Sequence, residues 1–323
     1  MSLFAGREVS SKNFTYLNNT HLLVTDSIMG LKQQSDRIDI TGLLRQLLLV
    51  GGACLGGFAL TIIAAAITGS ILGPSSRATL LTVSAIQGIL LFALPAFLAG
   101  YLTDKSHPLR LLGANRGVTL ISASAAIFAF LLGLPALNQI IDYNANIIVP
   151  WPELESLLRK WEESAASGTE ILLNTESWGG LISGILVIGV ITGFCEEIFF
   201  RGCLQRSLTY FKVNPHIAIW TAALFFSAAH FQFYGFLPRL LLGAFFGYLL
   251  YWSQSIWLPV ICHSLNNSLV VIFTWLSRRG FLTVDVEKFG VSDSFPWVGL
   301  FSAIVCLVIL YYGRNTVFAP EKK

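Results

Sequence analysis

The chain is divided into apolar runs of about the length that crosses a bilayer, and that rhythm admits very few folds. A helix needs roughly 20 mostly apolar residues to span hydrocarbon, and in lipid only helices or closed barrels satisfy their own backbone. Such runs occupy residues 47–68, 80–101, 117–137, 181–208, 217–233, 240–252, 256–276 and 295–312. They are too long and too continuously apolar for strands. The expected fold is therefore an all-α polytopic membrane protein of about eight transmembrane helices, bundled around an internal polar cavity. Only 12% of the 323 residues are charged, about half the usual share of about 25% in soluble domains. In the first run Gly51, Gly52, Gly56 and Gly57 form a small-residue face for close helix packing. In the second, Pro95 introduces a kink.

The spans define one membrane domain, residues 45–315, between a polar N-terminal tail of residues 1–44 and a short tail of residues 316–323. The segment 142–176 differs: Glu153, Glu155, Glu162, Glu163 and Glu170 accompany Trp151, Leu154, Leu157, Leu158 and Trp161 at helical spacing. That is an amphipathic helix lying on the membrane surface, or a lid over a substrate entrance. An even number of spans puts both termini on one side. Flanking basic residues, among them Arg45, Lys105, Arg110, Arg116, Arg206, Lys212 and Arg314, make that side cytoplasmic and leave 142–176 outside, against Arg278 and Arg279. The expected location is the plasma membrane of a prokaryote. A net charge of +3 without a basic run implies no nucleic-acid partner. The partners expected are membrane lipids and a peptide or lipidated protein. Five cysteines sit inside apolar runs without CxxC spacing and read as buried apolar residues. No cleavable signal pattern is visible.

One stretch breaks the apolar rule. In Cys195-Glu196-Glu197-Ile198-Phe199-Phe200-Arg201 two carboxylates and a guanidinium interrupt the fourth run, and charge at that depth normally faces a bundle interior and marks function. On a helix Glu197 and Arg201 lie about 40° apart and can pair, whereas Glu196 is turned about 100° away from Glu197. Glu196 is then the acid left for chemistry. Phe226 and His230, and His263 and Asn267, repeat the four-residue spacing on later runs, so three helices present polar groups inward.

These three ordered motifs, Glu196-Glu197-xxx-Arg201, Phe226-xxx-His230 and His263-xxx-Asn267, resemble those of the CAAX-protease and bacteriocin-processing family, to which the prenyl-CAAX endopeptidase Rce1 belongs. The resemblance covers about residues 180–275 and implies a glutamate-dependent intramembrane endopeptidase with its site in a cavity open to the cytosol. It implies Glu196 as general base, His230 as its helper in activating water, His263 and Asn267 as oxyanion stabilisers, and Glu197 with Arg201 as the supporting pair beside Phe226. The chemistry agrees, since amide hydrolysis needs a proton acceptor for water and donors aimed at the developing alkoxide. No cofactor is expected. A zinc site made of Glu196, His230 and His263 is the alternative. Ser264, Cys195 and Cys262 adjoin motif residues without sharing their helical faces, which disfavours a covalent nucleophile. Two other functions remain open: a non-enzymatic immunity, scaffold or regulatory protein binding a peptide in the same cavity, and a transporter using the Glu-His cluster as a proton relay. The latter lacks any visible inverted repeat.

Overall fold

Among the described residues short polar caps start four of the helices, and the apolar runs do the rest. The computed structural model describes residues 39–282, 290–291 and 297–319. Helix α1 is Ile40–Leu72 and α2 is Arg77–Thr103, begun by Ser76, whose side chain accepts from the Thr79 amide. A short α3, Pro108–Leu111, precedes α4, Leu120–Ala145, which Thr119 caps through the Ser122 amide. Helix α5 is Pro152–Leu173 and α6 is Trp178–Tyr210, capped by Ser177. Asn214 and a Pro at the first position open α7, Pro215–Ala228, which suits a residue without an amide donor. Then come α8, Phe233–Ser253, α9, Trp257–Arg278, and α10, Trp297–Gly313. Gln254, at φ 55°, ends α8 in the left-handed region.

Among the described residues each of the eight apolar runs forms a helix over most of its length. Among the described residues six helices are long and apolar enough to cross a membrane, and two apolar helices, α7 and α10, are shorter. Their outer faces carry bare apolar side chains such as Leu48, Leu120 and Phe301, which water would penalise and lipid solvates. The fifth run departs from expectation: α7 has 14 residues, about 21 Å of helix, because the chain turns before His230. The sixth is longer than its apolar stretch because Pro238 and Arg239 lie inside α8.

Three further expectations change. Helix α1 begins at Ile40, so the N-terminal tail is shorter than 44 residues, and the rest of it lies outside the described residues. Residues 316–319 are not a free tail, because Phe318 is buried and stacks on Trp252. In α1 only Gly57 makes a close helix contact: a Cβ there would sit 2.1 Å from the Leu90 carbonyl oxygen of α2, whereas Gly51, Gly52 and Gly56 face open space. Helix α5 is amphipathic and buries no residue, yet it docks on the segment between α7 and α8 and on the first turn of α8. Trp161 meets the Phe231 ring edge-on, Arg159 lies 4.3 Å over the Tyr234 ring, and Gln232 donates to Glu162 at 2.9 Å.

Candidate active site

Two glycine ladders let three helices approach closely enough to bury charge. On α6, Gly189 and Gly193 face Ser268 and Ser264 of α9, so that a Cβ would lie 2.2 Å and 3.0 Å from the respective hydroxyls. On α8, Gly243 and Gly247 expose carbonyls to the next two polar residues of α6: Arg201 Nη2 donates to Gly243 O at 3.0 Å and Gln205 Nε2 to Gly247 O at 2.9 Å. Close backbone approach of this kind is what small residues permit in membrane bundles. The backbone of α6 also widens to π-helix at Ile185–Thr192 and Ile198–Gln205, flanking the turn Gly193–Glu197 that carries both glutamates. Such wide turns often occur at functional sites.

Inside this contact Glu197 Oε1 sits 2.7 Å from Arg201 Nη1, both side chains wholly buried. The same oxygen accepts from His263 Nδ1 at 2.7 Å. Arg201 is further held 4.4 Å over the Phe226 ring and 5.4 Å over Phe246. Glu197 Oε2 and Arg201 Nε have no hydrogen-bond partner among the described residues, so the close contacts offset the desolvation of this buried pair only in part. Because the carboxylate can only accept, Nδ1 of His263 carries the proton, and its other nitrogen, Nε2, faces Glu196 Oε2 at 3.6 Å. The imidazole stacks on Phe246 with ring centroids 5.0 Å apart. Glu196 retains 13% side-chain exposure, while Glu197 has none. The two adjacent acids therefore occupy different environments: one locked, one partly open.

His230 lies just beyond the end of α7, not on a helical face shared with Phe226 as the spacing suggests. Its Nδ1 donates to the Phe226 carbonyl at 2.8 Å, which turns the ring back toward the cluster and leaves Nε2 as an acceptor. The following residue, Phe231, has φ 53°, a costly conformation for an aromatic residue. Phe226 joins the parts: its ring centroid is 5.1 Å from His230, 5.6 Å from His263 and 5.3 Å from Phe200. Asn267 Nδ2 donates to the Ile188 carbonyl of α6 at 3.2 Å, and its Oδ1 accepts from Asn266 at 3.1 Å. One of its two amide hydrogens is thus taken by backbone.

The neighbouring nucleophiles are placed differently. Ser264 packs against Gly193 and Cys195 against Gly88 of α2, and Cys262 is buried in the core with Phe246 and Leu258. Among the described residues no three His, Cys, Asp or Glu side chains are grouped to hold a metal. In the set Glu196, His230 and His263, the Nδ1 of each imidazole is already engaged. Sequence reading missed Gly189, Gly193, Gly243, Gly247 and Phe246. The two GxxxG spacings were the available signal for the glycines; Phe246 carried none.

The fold and site together define a polytopic helical membrane protein with a carboxylate–imidazole cluster buried between α6, α8 and α9. Residues 178–269 match the family model described as type II CAAX prenyl endopeptidase Rce1-like. The segment includes every residue named above as part of the cluster. A curated relative, the uncharacterized protein YpbD of Bacillus subtilis (strain 168), is 29% identical over 86 residues. That match covers 25% of this chain and 41% of YpbD, so the chain matches less than half of the relative's length. No solved structure matches. The family match supports a peptidase in general.

Proposed function

We propose that this protein is an intramembrane endopeptidase of the CAAX-processing type, which cleaves a membrane-associated peptide, prenylated or otherwise lipidated. The observation that carries the reading is the unequal fate of the two glutamates. Glu197 is committed to Arg201 and His263, while Glu196 keeps partial exposure beside the free nitrogen of His263. In the proposed reaction Glu196 removes a proton from water as the oxygen attacks the carbonyl carbon, then returns it to the nitrogen as the C–N bond breaks. His230, with Nε2 free to accept, helps hold that water. Asn267 supplies an amide hydrogen to the oxyanion. His263, held by Glu197 through Nδ1, sets its Nε2 3.6 Å from Glu196 and beside the oxyanion. The proposed location is a prokaryotic plasma membrane, with termini and basic loops in the cytoplasm.

The test is cleavage of quenched lipidated peptides by purified protein in detergent or liposomes. Glu196→Gln and His230→Ala are expected to abolish turnover while leaving the thermal transition in place; unchanged turnover in both would refute the proposal. Metal analysis and turnover in chelator separate the zinc mechanism from the metal-free one. If Glu196→Gln preserves the cellular phenotype, the protein acts by binding.

A further inference from the structure

A cavity of about 490 Å³ opens where α2, α6 and α8 stop against α3. Arg77, at the head of α2, donates to Leu172 O of α5 at 2.7 Å, so this cavity, at the foot of α2, lies at the opposite end of the bundle from α5. Its lining carries two guanidiniums, Arg110 and Arg206, and one carboxylate, Asp104. Neither arginine forms an ion pair among the described residues. Asp104 is committed locally, since its Oδ1 accepts from the Ser106 and His107 amides at 3.1 and 3.0 Å. Two cations against one anion leave the cavity with one net positive charge.

The Arg206 fork is held in place, but only loosely bonded. Its Nη1 and Nη2 lie 3.4 Å from Gln254 Oε1 and Arg110 O, long contacts to neutral oxygens. Gly113 lets the guanidinium pass, because a Cβ there would sit 3.2 Å from Nη1. Gln254 is itself fixed by donating to Tyr251 O at 2.7 Å. The side chain is therefore positioned while its charge is unmet. Arg110 is exposed on the same cavity. The rim is apolar: Tyr210, which lines the cavity, is 55% exposed, and Leu102 and Leu109, next in sequence to the lining residues Thr103 and Arg110, are also exposed. Exposed tyrosine belongs to the headgroup level of a membrane.

We propose that this cavity binds the phosphodiester headgroup of a glycerophospholipid, the phosphate accepting from Arg110 and Arg206 while the acyl chains lie on the apolar rim beside Tyr210 and Leu102. Basic pockets between membrane helices take lipid headgroups in this way. The single negative charge of a phosphodiester matches the cavity's net charge, and the rim gives the lipid a surface that free inorganic phosphate cannot use. Occupancy also bears on the site described above. Gln205 borders the cavity and donates to Gly247 O, one turn along α6 from the contact of Arg201 with Gly243 O. A headgroup bound there braces the α6–α8 spacing that buries the Glu197–Arg201 pair, whatever reaction the cluster performs.

The test is equilibrium binding of dioctanoyl phosphatidylglycerol, dioctanoylglycerol and inorganic phosphate to the full-length protein in neutral detergent. The phospholipid is expected to bind about tenfold more tightly than the dioctanoylglycerol, the scale of a charge-assisted hydrogen bond, and to raise the thermal transition. Arg110→Gln and Arg206→Gln should each erase that difference and leave the affinity for dioctanoylglycerol unchanged, which also reports that the variants are folded. Arg314→Gln, which follows α10 and lies outside this cavity, should leave the difference intact. Equal binding of the two lipids, a difference that survives both cavity substitutions, or an equal loss in Arg314→Gln overturns the inference. Inorganic phosphate bound as tightly as the phospholipid overturns the assignment to a lipid.

Discussion

At the scale of single residues, the decisive arrangement is that one oxygen of Glu197 serves two donors at once. It binds Arg201 and His263, each at 2.7 Å. Removing one member of such a buried pair leaves an uncompensated charge and costs about 3–5 kcal/mol. Glu197→Gln and Arg201→Met are each expected to lower the thermal transition sharply, and the double variant to lose less than the sum of the two. A double-mutant cycle on unfolding in detergent reads this directly; additive losses would mean that the pair is not coupled. Arg201→Lys is not a conservative change here. A single ammonium cannot reproduce the fork that reaches Glu197 and Gly243 O from separate nitrogens, so its stability should fall with Arg201→Met and not stay with the wild type.

At the scale of elements, helix spacing depends on which glycines meet backbone. A Cβ on Gly57 would clash with the Leu90 carbonyl at 2.1 Å, and backbone cannot move aside as a side chain can. Gly57→Ala is expected to destabilise by about 1–3 kcal/mol through overpacking. Gly51→Ala, Gly52→Ala and Gly56→Ala have open space and should be neutral or slightly stabilising, since Ala is the better helix former. Thermal unfolding of the four variants tests both halves, and equal losses at all four positions would contradict the packing. The contrast also shows how far the chain could be read in advance. Four glycines at nearly the same spacing look equivalent, because the identity of the facing helix is tertiary information. The eight apolar runs and the Glu197–Arg201 spacing were legible because local periodicity sets both. The end of α7 was not: Phe231 and Phe233 carry the apolar run past Ala228, and no Gly or Pro in Ala229-His230-Phe231 announces a turn. Nor could spacing reveal that His263 would bridge the two acids, since that contact joins residues 66 apart in sequence.

At the scale of the whole molecule, α4 fixes an orientation that can be tested. Its 26 residues span about 39 Å at about 1.5 Å per residue, more than the ~30 Å of a bilayer core. The loop before it, with Lys105, Arg110 and Arg116, and α5 after it must therefore lie on opposite faces. Basic flanks prefer the cytoplasm, so α5 with its glutamates should face outward. The five native cysteines sit in apolar helices, which keeps background labelling low. A membrane-impermeant maleimide applied to intact cells is expected to modify Ser156→Cys on α5 and to spare Ser106→Cys until the membrane is opened. The reverse pattern would place α5 in the cytosol. Labelling of both sites in intact cells would mean that α4 does not cross.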